Sequence, residues 1–139
     1  MVSYFYENTS YLFKGKVKNN YWLRTVAESE IRRLGDLNII FCSDNYILGI
    51  NQQYLGHDYF TDIITFDYCK GDKLSGDLFI SVDSVRENAM EFNQTFEREL
   101  DRVMVHGILH LIGYDDHTKV QQKEMRAKED YYLSLKDVM

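Results

Sequence analysis

The hydrophobic period changes along this chain, and the order of those changes leaves few folds open. Apolar side chains alternate over Ser3–Phe13 and on through Lys14–Lys18, which predicts an extended N-terminal region. Asn20 then reads as a helix cap, because Trp22, Leu23, Val26, Ile31 and Leu34 recur at roughly helical spacing until Gly35. Leu37–Cys42 is short and β-rich, which predicts a strand. Ser43 or Asp44 can cap a helix running to about Tyr54 and ended by Gly56. Asp62–Tyr68 and Asp77–Val82 read as strands joined across a turn at Lys70–Lys73, a hairpin. The last third is helical. One helix runs from Asp83 or Ser84 to about Phe92. A longer one runs from Thr95 to Gly113, with Phe96, Leu100, Val103, Gly107 or Ile108, and Leu111 along one face. The last runs from the capping-box pair Thr118 and Gln121 to about Leu135. This β-α-β-α-β-β-α-α-α order predicts an α/β (α+β) fold, a mixed β-sheet packed with helices.

With 139 residues, 45% of them hydrophobic, the chain suits a single domain spanning residues 1–139 with a substantial core. It contains no proline, so turns rely on Gly, Asn, Asp and Ser. No apolar run approaches the roughly 20 residues a spanning helix needs. The N-terminus lacks the basic start and apolar stretch of a secretory signal, so a soluble, cytoplasmic protein is expected. Cys42 and Cys69 are too few for a disulfide framework and read as buried thiols. The formal net charge of −6 sets a condition on any nucleic-acid partner, which would need a local basic face. Lys14, Lys16 and Lys18 could form one if the segment is a strand, or could simply protect a solvated strand edge.

Three of the four histidines fall in HGILHLIGYDDH, at His106, His110 and His117. His106 and His110, four apart on a helix, share a face within reach of one ion. Gly113 lets the chain leave the helix and turn back, returning His117 as a third nitrogen ligand. Three imidazoles suit zinc and leave one position for water, the arrangement of a catalytic site. Each histidine alone could be a buried ring bonded to a carbonyl, but the cluster is poorly explained that way. His57 lies in a predicted loop, as a surface residue or a support to the site. The peptidase pattern HExxH places a glutamate base where this chain has Gly107, which argues against that chemistry. Asp115 and Asp116 could orient the third ligand, bind metal, accept a proton, or form a polar turn before Thr118.

HGILHLIGYDDH closely resembles HGxLHLxGYDH, the signature of the YbeY family of bacterial endoribonucleases of ribosomal RNA maturation. The resemblance extends to Asn51–Phe66 (NQQYLGHDYFTDIITF), Gly76–Ser81 (GDLFIS) and Glu99–His106 (ELDRVMVH). It implies a small α/β layer structure with the histidine helix against a mixed sheet, and one zinc ion per chain on His106, His110 and His117. The implied activity is zinc-dependent, single-strand-specific endoribonuclease action in small-subunit (16S) rRNA 3′-end maturation and ribosome quality control. The implied partners are single-stranded or ribosomal RNA, the small ribosomal subunit and assembly factors.

Three positions depart from the family pattern. The third histidine is usually ten residues after the first, a position held here by Asp116, with His117 one later. Asp116 is therefore an alternative ligand. The family's arginine after the tyrosine is Leu55, which removes a group suited to bind phosphate or stabilise developing charge. The proline before Thr-Asp is Phe60. Substrate phosphate would meet the metal and the Lys14–Lys18 edge, while Tyr54, Tyr59 and Phe60 either stack on unpaired bases or serve ordinary core or turn packing. The alternatives are a zinc-containing ribosome-assembly protein without nuclease activity, and a metallohydrolase of another, peptidase-like class.

Overall fold

The computed structural model describes residues 1–139. Its four strands are β1 (Val2–Glu7), β2 (Arg33–Cys42), β3 (Ile63–Asp67) and β4 (Lys73–Ser81). Its helices are α1 (Lys16–Ser29), α2 (Asp44–Leu55), α3 (Val82–Glu91), α4 (Phe96–Ile112) and α5 (Lys119–Asp137). The strands form one sheet in the order β1-β2-β4-β3. β1 and β4 run parallel to β2, while β3 pairs antiparallel with β4 as the expected hairpin. The mixed α/β fold is therefore the one expected.

The strand alternation sorts side chains onto two faces. Leu37, Ile39 and Phe41 of β2, with Leu74, Leu78 and Ile80 of β4, join Trp22, Val85, Val103, Ile108 and Leu133 in the main core. On the opposite face Cys42 and Ile64 pack with Ile47 of α2, flanked by Phe66 and Phe79. Helix α4 lies within the thicker layer. Its buried face carries Leu100, Val103, Met104, Ile108 and Leu111, which leaves its last turns at the sheet edge formed by β3.

Both ends of the first predicted helix are corrected. The extended N-terminal region stops at Glu7, and α1 begins at Lys16 behind Gly15. Tyr11 and Phe13 alternate because both rings fold onto Phe41, at centroid distances of 5.4 and 5.2 Å, and not because the segment is a strand. Lys14, Lys16 and Lys18 consequently do not line one strand face, because Lys16 and Lys18 lie in the first turn of α1. Asn20 is inside the helix and accepts a 2.6 Å hydrogen bond from the Tyr4 hydroxyl instead of capping. The helix ends at Ser29. Ile31 is 81% exposed with φ 59°, and Leu34 and Gly35 belong to β2. A β-carbon at Gly35 would lie 2.6 Å from the Leu74 carbonyl oxygen, so the glycine serves strand contact, not helix termination. Helix α3 is capped by Ser81, whose hydroxyl accepts from the Ser84 amide, so the helix begins at Val82, one or two residues before the expected start at Asp83 or Ser84. Cys42 is buried and Cys69 half-buried, both as free thiols.

Candidate metal centre

Helix α4 starts where expected, with the Thr95 hydroxyl accepting from the Arg98 amide at 3.1 Å. Four residues apart, His106 and His110 bring their Nε2 atoms within 3.0 Å of each other. Gly113 closes the helix with φ 122°, a region that L side chains rarely adopt. The chain then turns back, and the Asp116 carboxylate comes to 3.4 Å from His106 Nε2 and 3.6 Å from His110 Nε2. One donor atom from each of His106, His110 and Asp116 lies within 4.8 Å of the others. His117 lines the same cleft, while its amide donates to the Gln121 side chain at 3.1 Å. The structure thus gathers His106, His110 and Asp116 and leaves His117 at the cleft wall. The Thr118–Gln121 capping box forms as expected and starts α5 immediately after the turn.

Two contacts that the sequence reading missed hold this arrangement. Glu129 of α5, 4% exposed, places Oε2 2.7 Å from His106 Nδ1 and Oε1 2.9 Å from Arg102 Nη1. A carboxylate on the far nitrogen of a ligating histidine fixes its tautomer and aim. Burial works against a charged His106, but the hydrogen bond and charge of Glu129, with Asp116 and Asp62, outweigh it and raise the pKa. The available signal was register: Glu129 occupies the same α5 stripe as buried Met125, Tyr132 and Leu133, where a charge needs a partner.

The second contact is Glu30, just beyond α1. It accepts hydrogen bonds from Tyr114 at 2.6 Å, Lys128 at 3.0 Å and Tyr132. Tyr114 belongs to the turn carrying Asp116 and His117, so Glu30 ties that turn to the body of the protein. Burial alone would raise the Glu30 pKa, but those hydrogen bonds prevail and lower it. The stabilisation is then complete above the unfolded value of about 4.3 and is lost as pH falls through the lower folded value. Glu30→Gln should melt below the wild type at neutral pH, with the gap closing below about pH 4. Thermal unfolding followed against pH checks this, and a gap that persists at low pH contradicts it.

Gly107 faces the sheet. A β-carbon there would sit 2.8 Å from Ile63 Cδ1 and 3.1 Å from Leu78 Cδ2, so α4 has no room for the peptidase glutamate at that position. The cleft beside the histidines has a volume of about 560 Å³ and is walled by Leu55, His57, Tyr59 and Asp62 among others. Its lining includes no lysine or arginine. His57 stacks on Tyr59 at a centroid distance of 5.1 Å, whereas Tyr54 packs edge-on against Phe66. Burial raises the Asp62 pKa against the pull of His106.

The donor set fits a divalent ion. Two imidazoles with one carboxylate form a recurrent catalytic zinc set, and the carboxylate behind His106 is the support such a ligand uses.

Fold and site together define a mixed α/β protein with a His–His–carboxylate centre at the mouth of an open cleft. The family model described as Endoribonuclease YbeY matches residues 11–136, and the chain belongs to that family. It is 50% identical over 135 residues to the Endoribonuclease YbeY of Phocaeicola vulgatus, covering 97% of this chain and 98% of that protein. The Flavobacterium psychrophilum Endoribonuclease YbeY is 48% identical over 137 residues, covering 97% and 96%. The solution structure of TM1509 from Thermotoga maritima superposes with a TM-score of 0.66 at 35% identity, covering 96% of this chain and 87% of that one.

Proposed function

We propose that this protein is a zinc-dependent, single-strand-specific endoribonuclease of the cytoplasm, acting in 16S rRNA 3′-end maturation and ribosome quality control. The observation that carries the reading is the His106–His110–Asp116 centre at the mouth of an open cleft. Near-full-length relatives named Endoribonuclease YbeY support it. No helix is long and apolar enough to cross a membrane.

His106 and His110 would hold one zinc ion through their Nε2 atoms, with the third ligand from the Asp116–His117 turn. Bound there, zinc supplies Lewis acidity toward a phosphodiester oxygen. Glu129 keeps His106 aimed through Nδ1. The Asp62 carboxyl, its pKa raised by burial, is the group positioned to accept a proton from the attacking hydroxyl. A net charge of −6 and a cleft without lysine or arginine give little free attraction for RNA. Delivery by the small ribosomal subunit or its assembly factors fits that balance. The same lack of cations, with Leu55 at the arginine position, favours the second reading, a zinc-containing assembly protein that does not cut.

Paired variants identify the third ligand. The position of Asp116 supports a loss in zinc affinity for Asp116→Ala larger than the roughly 10- to 100-fold that losing a mere supporting partner costs, with His117→Ala changing it much less. The reverse order, measured by competition with a chromogenic chelator, would make His117 the ligand.

A further inference from the structure

A second cavity, of about 410 Å³, adjoins the metal cleft and shares Asp62, Ile63, His106 and Asp116 with it. Its other walls include Phe92, Glu99 of α4 and Arg126 of α5. Glu99 lies on the histidine face of α4, seven residues before His106. It is only 6% exposed, yet its carboxylate accepts no hydrogen bond and makes no ion pair within the chain. Arg102, one turn along, gives its guanidinium to Glu129 and Asp130 at 2.9 and 2.7 Å. No fully buried side-chain oxygen of the protein lacks a partner, so the Glu99 oxygens are ones that open onto the cavity. A largely buried, unpartnered carboxylate is costly and aimed at something that donates.

The lining selects the ligand's chemistry. A phosphate would meet Glu99, Asp62 and Glu129, and a bare divalent cation would meet Arg102 and Arg126. A neutral group rich in donors, with flat faces, suits both sets of charges. Two flat surfaces stand ready: the Phe92 ring, 55% exposed, and the Arg126 guanidinium, whose nearest carboxylate is 4.0 Å away.

Resting on the RNA-cleaving reading, we propose that this cavity receives an unpaired base beside the scissile phosphate and that Glu99 selects guanine. Guanine presents two parallel donors, N1–H and the exocyclic amino group, to one carboxylate. Adenine and cytosine place a donor beside an acceptor, and uracil has one donor between two acceptors.

The test has a cleavage arm and a binding arm. Otherwise identical unstructured RNAs carry guanine, inosine, adenine, cytosine or uracil at one position. The wild type should show kcat/KM about tenfold higher for cleavage beside guanine than beside adenine, with inosine between them. Glu99→Gln should bring the guanine-to-adenine ratio close to one. In the second arm, guanosine and adenosine are titrated into zinc-loaded and zinc-stripped protein and followed by NMR. Guanosine should bind more tightly in both, Glu99→Gln should remove the difference, and Phe92→Ala should weaken guanosine about fivefold or more. RNA cleavage with equal rates beside all bases and equal nucleoside binding overturns the proposal. Selective guanosine binding without cleavage of any RNA keeps the base pocket and overturns the nuclease reading.

Discussion

His110→Ala is expected to lose RNA cleavage by about 1,000-fold or more while keeping a native circular dichroism spectrum. The site loses one of two helix-borne nitrogen ligands, and several kcal/mol of charge stabilisation at the phosphodiester converts to that factor. The fold should tolerate the change because His110 lies at the cleft mouth, half-buried, with its ring against His106 and Asp116 and outside the main core. Bound zinc, measured on the same sample, should fall well below one ion per chain. Retention of both zinc and cleavage would remove His110 from the site.

Glu129→Ala is expected to damage the site and the fold together. It frees Nδ1 of His106, and loss of such a support typically lowers metal affinity by about 10- to 100-fold. It also strips a carboxylate from the 17%-exposed Arg102 side chain, which would keep only Asp130. Breaking a buried pair on one side costs about 3 kcal/mol at the low end of the usual range. For a chain of this size that corresponds to a melting temperature lower by roughly 10 °C. Glu129→Gln should recover much of the stability, since an amide oxygen can still accept from Arg102 or His106, but less of the metal affinity. If Glu129→Ala melts and binds zinc like the wild type, Glu129 does not hold the centre.

These two residues also mark what local sequence could and could not disclose. His110 was legible because HxxxH followed by Gly113 is a short-range pattern, and a helix of period 3.6 turns it into geometry without tertiary information. The same holds for the caps at Ser43, Thr95 and Thr118, where one side chain and one nearby amide make the whole device. Glu129 was not legible. Its partner His106 lies 23 residues away, and only the docking of α5 on α4 brings them together. The N-terminal error has a related cause. Tyr11 and Phe13 show strand-like alternation because two rings cover Phe41 from a loop, and tertiary packing can imitate a period of two. Ile31 and Leu34 fit the preceding helical period by coincidence and Asn20 resembles a cap, so the sequence pattern displaces α1 by about one and a half turns toward the C-terminus without changing its length. The sequence offers Asp116 only as an alternative to His117, because both follow Gly113 in the same short turn. The turn after Gly113 decides which of the two meets the histidines, and its path depends on Tyr114 reaching Glu30, 84 residues away in sequence.

The most direct test is a zinc titration of chelator-stripped wild-type protein during cleavage of a labelled unstructured RNA, with His110→Ala purified in parallel. Cleavage should be absent from the stripped protein, rise with added zinc and level off at one ion per chain, while the variant stays flat throughout. Full-rate cleavage by the stripped protein, or none by protein carrying its zinc, would contradict a metal-dependent nuclease centred on His106, His110 and the Asp116–His117 turn.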